Sequence, residues 1–398
     1  MREDIIVLGA TGSIGRQCLE ILRYSDRYRL VGVSLNTRYE ILEDYLLYFD
    51  GLRKVAITDP EKAKEFQARH PDLTVYSGEE ASLTLVKKNP QATVFNSLLG
   101  NVGLRPSLLA LRQHQDLLLA NKESLVIGSS LIQKELRKTH GHLYPVDSEH
   151  VGLAKLLSEA RRLGIHKDQI RSLTVTASGG SLRDVPKEDL PDVTPEQVLH
   201  HPTWAMGPKI TCDSATLVNK GYEVIEASVL FGFPLSRVNA IICRESLVHA
   251  ELTYVSKGHR ETIVEYSPCD MKVAIAYALS KGKLTVHQNG KEDQKAIGRL
   301  HFAPVDETFY PCFRLTIRTY EKYGNAGMIF YNAVDTLAVK KFLAKEIPYS
   351  DILTALRYTY ECMPALPVLS EKNLPAIEKQ AEAFASQVLL RCKLFLRR

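Results

Sequence analysis

Short apolar runs alternate with stretches of helical spacing through roughly the first 150 residues. Residues 4–9, Leu30–Ser34, Val55–Thr58, Thr93–Phe95, Leu117–Leu119 and His142–Tyr144 are too short for helices and rich in aliphatic side chains, so they read as buried strands. Between them apolar residues recur at three- and four-residue intervals, as in Ile14, Cys18, Leu19, Ile21 and Leu22, the mark of amphipathic helices. Asp59-Pro60 is a helix start, with an N-cap and a proline at the first helical position. Repeated strand–helix units predict a parallel, doubly wound α/β sheet. Beyond residue 150 the rhythm changes. Ile170–Thr176 is a β-branched run, and Val238–Ile242, Leu247–Tyr254 and Thr262–Tyr266 read as antiparallel strands, the last two joined by a Lys257-Gly258 turn. Pro311–Tyr323, Met328–Lys345, Ser350–Tyr360 and Ala376–Leu396 have helical spacing. The expected division is an α/β domain over 1–147, an α+β domain with a mixed sheet over 148–281, a linker over 282–304 and a helical bundle over 305–398.

Composition narrows the function classes. The formal charge of +5 over 398 residues is mild and not gathered into basic runs, which argues against a nucleic-acid partner. Seven cysteines, an odd number with no CxxC pair, read as reduced thiols and neither a disulfide framework nor a zinc site. No signal sequence and no apolar run long enough to span a bilayer is visible, so the expectation is a cytoplasmic protein with no membrane partner.

Candidate chemistry lies where strands end. The first strand runs into Gly9-Ala10-Thr11-Gly12-Ser13-Ile14-Gly15 and then a helix, the context a Rossmann-like dinucleotide site requires. After the second strand come Asn36, Thr37 and Arg38 in place of an acidic residue, which favours NADP(H) because no carboxylate repels a 2′-phosphate. The stretch His201–Ala227 holds the only tryptophan, Trp204, in a Pro- and Gly-marked loop. Asp213 there reads as an N-cap, followed by one helix on which Thr216, Asn219, Lys220 and Glu223 share a face. Asp147 and Glu149, two apart at a strand end and expected on one side of an extended segment, together with Glu223 form an oxygen-only donor set that suits Mg2+ or Mn2+. Lys122, also at a strand end, is expected to pair with that cluster and temper its charge. Ser178 with Gly179, His201, Ser214, Asn219 and Lys220 are the groups a phosphomonoester needs. Each has an ordinary reading when taken alone: a solvated helix face, a tight βα turn, a surface lysine.

GATGSIG, LLANKES, PVDSEH, TASGG and HPTWAMGPKITCDSATLVNKGYEVIEA, in this order, resemble the 1-deoxy-D-xylulose 5-phosphate reductoisomerase family. The last motif is long and specific, and the resemblance is strongest over the first 230 or so residues. It implies a three-part subunit, a homodimer, and NADPH- and metal-dependent conversion of 1-deoxy-D-xylulose 5-phosphate to 2-C-methyl-D-erythritol 4-phosphate in non-mevalonate isoprenoid biosynthesis. The metal it implies is Mn2+ or Mg2+, with Co2+ as a further candidate. By matching motifs it implies Asp147, Glu149 and Glu223 as metal ligands, with Lys122 beside them among the catalytic residues. Ser148, Glu149, Ser178, His201, Trp204, Ser214, Asn219, Lys220 and Glu223 are the implied substrate contacts, with Trp204 and Met206 on a closing loop. Gly9, Thr11, Gly12, Ser13, Ile14, Asn36, Arg38, Asn121, Lys122, Glu123 and Gly207 are the implied cofactor contacts. The chain departs from the family pattern at Cys243-Arg244-Glu245-Ser246, at Ser267–Met271, at Asn332–Thr336 and at Val33–Asn36. Two other readings stand beside this one: a paralogous NADP-dependent oxidoreductase acting on another small phosphorylated carbonyl compound, and a non-catalytic nucleotide sensor, which has no need of three convergent carboxylates.

Overall fold

Seven parallel strands carry the N-terminal part of the chain in the computed structural model, which describes residues 2–283 and 300–395. The contacts group the chain into two compact units, Met1–Val151 with Asp270–Val286, and Gly152–Cys269 with His287–Arg398.

In the first unit the strands are β1 (Glu3–Leu8), β2 (Tyr28–Leu35), β3 (Lys54–Ile57), β4 (Thr74–Ser77), β5 (Thr93–Asn96), β6 (Leu117–Leu119) and β7 (Leu143–Pro145), in spatial order β4-β3-β2-β1-β5-β6-β7. The order reverses between β1 and β5, the position where an open α/β sheet forms its ligand crevice. Ile5, Val7, Val33, Val55, Phe95 and Leu118 are buried on one face of this sheet with Cys18, Leu19 and Leu22 of the first helix. β4 was not expected, because Thr74, Val75, Tyr76 and Ser77 at the sheet edge are half-buried or exposed and carry little apolar signal. The helix Met271–Leu279, which the sequence assigns to the middle domain, packs in this unit, burying Ile275, Ala278 and Leu279 in the same core. Lys281 beyond it pairs with Glu3 and, at 2.6 Å, with Asp116.

The second unit holds a five-stranded sheet in the order β11-β10-β8-β9-β12, made of β8 (Ile170–Ala177), β9 (Val238–Cys243), β10 (Val248–Ser256), β11 (His259–Tyr266) and β12 (Phe302–Pro304). β9 lies parallel to β8, against the antiparallel reading, because the helix Val218–Phe231 is a crossover that returns the chain to the same end of the sheet. β10 is antiparallel to both β8 and β11. The β10–β11 turn is as expected, with Lys257 at φ 49° and Gly258 at φ 82°. Of the expected linker, residues 284–299 lie outside the described residues, and Phe302–Pro304 are strand, paired with Ile241–Cys243. The C-terminal helices are Pro311–Leu343, broken at Gly324 (φ 58°), Ser350–Glu361 and Leu374–Phe395.

Candidate functional site

The first unit contributes a backbone-built turn. Gly9 has φ +76°, and a Cβ placed on it would lie 2.6 Å from the Ser97 carbonyl oxygen. A Cβ on Gly15 would lie 2.2 Å from the Gly9 carbonyl oxygen, so only glycine lets the helix pack this tightly on the turn. The Gly9 N–H donates to Ser34 Oγ at 3.1 Å. The helix Ser13–Leu22 then starts after Gly12 with no side-chain cap, which leaves its first amides and its positive dipole end suited to a pyrophosphate. Arg38, exposed beyond β2 beside the exposed Asn36, donates across the turn to the Thr11 carbonyl at 3.2 Å. This cradle, which a single Cβ would fill, fits a dinucleotide.

Two further groups of expected residues sit at the ends of β6 and β7. Asn121, buried, donates to the Gly100 carbonyl at 3.0 Å and to Glu123 at 2.9 Å, while Glu123 accepts from the Gly100 N–H at 3.2 Å. Asn121 and Glu123 thus brace the Gly100–Gly103 turn. Lys122 instead reaches Asp147, with Nζ 2.8 Å from Oδ2. Asp147 Oδ1 accepts from the Glu149 N–H at 3.2 Å and lies 3.0 Å from His150 Nδ1. The segment is therefore not extended: Ser148 begins the helix Ser148–Arg162, Glu149 lies in its first turn, and Asp147 precedes it. Ser148 Oγ donates to Glu149 Oε2. His150 is completely buried and was not singled out from the sequence, although its place three residues after Asp147 was the available signal.

The second unit contributes a cradle of side chains. β8 ends at Ala177, and Ser178 is followed by Gly179 and Gly180 at φ +87° and +72°. A Cβ on Gly180 would lie 2.6 Å from the Ser214 carbonyl oxygen, so the loop approaches the helix Pro208–Thr216 as closely as glycine allows. His201 Nε2 lies 3.1 Å from Ser178 Oγ and 3.3 Å from Ser214 Oγ. Its Nδ1 accepts the backbone N–H groups of Thr203 at 3.2 Å and Trp204 at 3.0 Å. An Nδ1 that accepts twice carries no proton, so in the neutral ring Nε2 carries it and points it between the two hydroxyls. Burial, with the Arg183 guanidinium nearby, pushes the His201 pKa down to about 4, which keeps the ring neutral at pH 7. Arg183 was missed because its hydrogen bonds are to backbone: it donates to the Ser178 and Arg244 carbonyls, each at 2.8 Å. Tyr310 OH holds the Gly179 carbonyl at 2.8 Å.

The helix expected to begin at Asp213 is two helices. Asp213 lies inside Pro208–Thr216, and Leu217 at φ 57° breaks the run before Val218–Phe231 begins. A left-handed leucine costs about 1 kcal/mol, offset here by the complete burial of its side chain. Beyond the joint Lys220 and Glu223 are both buried and ion-paired, and Asn219 donates to Glu223 at 2.5 Å. Lys209, half-buried along its stem, sends its ammonium to Asp213 at 2.5 Å and to the fully buried Asp335. Burial alone opposes that charge, but the Asp213 and Asp335 carboxylates outweigh it and raise the Lys209 pKa. Asp335 belongs to the departing Asn332–Thr336 stretch, so the departure supplies an anion for this lysine. The half-buried Trp204 meets His249 edge to face, with ring centroids 6.2 Å apart. Met206 is half-buried, and Gly207 precedes the helix Pro208–Thr216 at an ordinary φ of −67°.

Known proteins resemble this chain along nearly its whole length. Three family models cover most of the chain: 1-deoxy-D-xylulose 5-phosphate reductoisomerase at residues 5–129, its C-terminal domain at 143–231, and the DXP reductoisomerase C-terminal domain at 266–386. The reductoisomerase of Halalkalibacterium halodurans is 33% identical over 390 residues, covering 97% of this chain and 100% of the relative. That of Mycobacterium tuberculosis is 37% identical over 355 residues, covering 88% of this chain and 82% of the relative. A crystal structure of the reductoisomerase in complex with NADPH, fosmidomycin and magnesium superposes with a TM-score of 0.88 at 28% identity, covering 99% of both chains. The Zymomonas mobilis enzyme in complex with NADPH gives a TM-score of 0.85 at 28% identity, covering 98% of this chain and 99% of the other. On the strength of these matches, the chain belongs to the 1-deoxy-D-xylulose 5-phosphate reductoisomerase family.

Proposed function

We propose that this chain isomerises and reduces 1-deoxy-D-xylulose 5-phosphate to 2-C-methyl-D-erythritol 4-phosphate, using NADPH and a divalent cation. Its relatives carry that name, and solved ones bind NADPH, magnesium and the phosphonate fosmidomycin. The observation that carries the reading is the convergence of Ser178, Ser214 and the neutral His201, three hydrogen-bonding side chains from separate segments, with both hydroxyls within 3.3 Å of His201 Nε2. Neutral donors of this kind suit a phosphate dianion, and Lys220 on the following helix supplies the charge. Holding the phosphate away from the reacting carbons orients the substrate at low entropic cost. Closure of the Trp204 loop, anchored by the His201 hydrogen bonds to residues 203 and 204, excludes water.

Asp147, Glu149 and Glu223 are assigned to the cation, and their carboxylate oxygens suit Mg2+ or Mn2+. When bound, the cation polarises the substrate's ketone and neighbouring hydroxyl. Lys122 and His150 fix the orientation of Asp147, as outer partners of a ligating carboxylate do. The turn from Gly9 to Ile14 takes NADPH, which delivers hydride to the rearranged carbonyl carbon, and Arg38 receives the 2′-phosphate.

A homodimer is proposed with it: β11 is an edge strand whose first residues, His259, Arg260, Glu261 and Thr262, are exposed, and an open edge is a ready pairing surface. A cytoplasmic location is proposed because the six cysteines whose side chains are described are thiols and suit a reducing compartment. Among the described residues no helix is long and apolar enough to cross a membrane. The test is NADPH oxidation with deoxyxylulose phosphate and Mg2+ or Mn2+, with identification of the product. Formation of methylerythritol phosphate that stops on chelation is the expected result. Turnover that survives chelation, or reduction of a different phosphorylated carbonyl compound in its place, contradicts the reading.

A further inference from the structure

A cavity lies in the same unit as the Ser178–His201–Ser214 cradle and is lined by none of those three residues. It measures about 180 Å³ and opens to solvent on one side. Its walls include Leu190 and Pro191 of the 3-10 helix Lys187–Asp192, Phe309, and Tyr349 and Leu353 around the start of the helix Ser350–Glu361. The lining is mostly apolar, and an apolar cavity of about 150 Å³ is large enough for one benzene ring. One charged side chain belongs to the lining, the exposed Lys187. Hydrogen bonds from Thr308 at 2.8 Å and Phe309 at 3.3 Å, with the Lys187 ammonium nearby, hold the Asp306 carboxyl below its ordinary range. Apolar walls with a single cation define the ligand class: one aromatic ring carrying one anionic group.

The floor includes Thr216, the last residue of the helix Pro208–Thr216. Its hydroxyl donates to the Cys212 and Asp213 carbonyls and accepts the Val218 N–H at 3.3 Å. Those bonds bracket Leu217, the left-handed joint between the helix bearing Ser214 and the helix bearing Asn219, Lys220 and Glu223. A ring seated against Thr216 therefore bears on the one backbone joint that sets these residues relative to Ser214. We infer that this cavity is a regulatory site for a small aromatic carboxylate, and that its occupancy changes the affinity of the phosphate cradle. The coupling rests on the proposed role of that cradle, whereas binding to the cavity does not.

Phenylacetate is the probe, followed by saturation-transfer NMR on the full chain and by the KM for deoxyxylulose phosphate. Leu353→Trp fills the cavity and Lys187→Met removes the cation; neither residue belongs to the catalytic machinery. The expected results are saturable binding, a KM change of about fivefold or more, and loss of both effects in Leu353→Trp. Lys187→Met retains the fold and weakens binding about tenfold, the ordinary worth of a hydrogen bond to a charged group. A circular dichroism spectrum and melting temperature like those of the wild type show that each variant is folded. Absence of binding, or binding that survives Leu353→Trp in the folded variant, overturns the site. Binding that leaves KM unchanged in an enzyme active on deoxyxylulose phosphate overturns the coupling. If the chain proves inactive on that substrate, the NMR comparison still decides the site, because it needs no turnover.

Discussion

The dinucleotide turn of the first unit and the cradle of the second both present donors to an anion, and they are built from opposite materials. The turn is backbone: Gly9, Gly12 and Gly15 contribute shape and amides, and what matters is the absence of a Cβ. The cradle is side chain: Ser178, His201 and Ser214 come from three segments and are aligned by a histidine whose other nitrogen is held by two amides. A backbone site fails by steric collapse, which no chemistry rescues. A side-chain site fails by losing a donor or gaining a proton, so it grades with chemistry and with pH.

The largest effect that contrast predicts is at Gly15. A Cβ already meets the Gly9 carbonyl oxygen at 2.2 Å, so Gly15→Val should weaken NADPH binding about a hundredfold, about 2.7 kcal/mol, with a matching loss of thermal stability. Fluorescence titration of NADPH checks it, and near-normal affinity would mean that the turn tolerates a side chain. In the cradle, His201→Gln should raise the KM for deoxyxylulose phosphate by about ten- to a hundredfold while NADPH affinity stays unchanged. Equal losses for both ligands would erase the distinction between the two sites. A pH effect separates them further. The His201 pKa of about 4 lies below the ordinary 6.5, so between those values the unfolded chain binds more protons than the folded one. Stability should therefore fall as pH drops from 6.5 towards 4, and His201→Gln should flatten that part of the curve, read by thermal unfolding at a series of pH values. The smallest effect lies outside both sites. Lys257 at φ 49° in the hairpin turn is replaced to advantage by asparagine, and Lys257→Asn should stabilise by about 0.5 kcal/mol with no change in either ligand affinity.

The same contrast governs what the sequence discloses. The turn is legible because its requirements are local: a strand, glycines at fixed offsets and a helix start all fall within Glu3–Leu22. The cradle is half legible. Ser178, His201 and Ser214 are recognisable as candidates, but the tautomer that unites them depends on the folding of residues 201–204, which no periodicity encodes. Arg183 gives no signal of its place in the cradle, since the hydrogen bonds that put it there go to carbonyls at 178 and 244. The left-handed Leu217 is hidden because the apolar spacing continues across it, so two helices read as one. The parallel pairing of β9 with β8 is likewise a tertiary outcome, because a short apolar strand carries no mark of its neighbour's direction.

The central claim, that Asp147, Glu149 and Glu223 hold one divalent cation, is tested most directly by Mn2+ titration of the wild type and of Glu223→Gln, followed by electron paramagnetic resonance. The account predicts one tight site in the wild type, weakened about a hundredfold in a Glu223→Gln protein that still folds and still binds NADPH. Mn2+ affinity unchanged by that substitution would remove Glu223 from the ligand set and contradict the account.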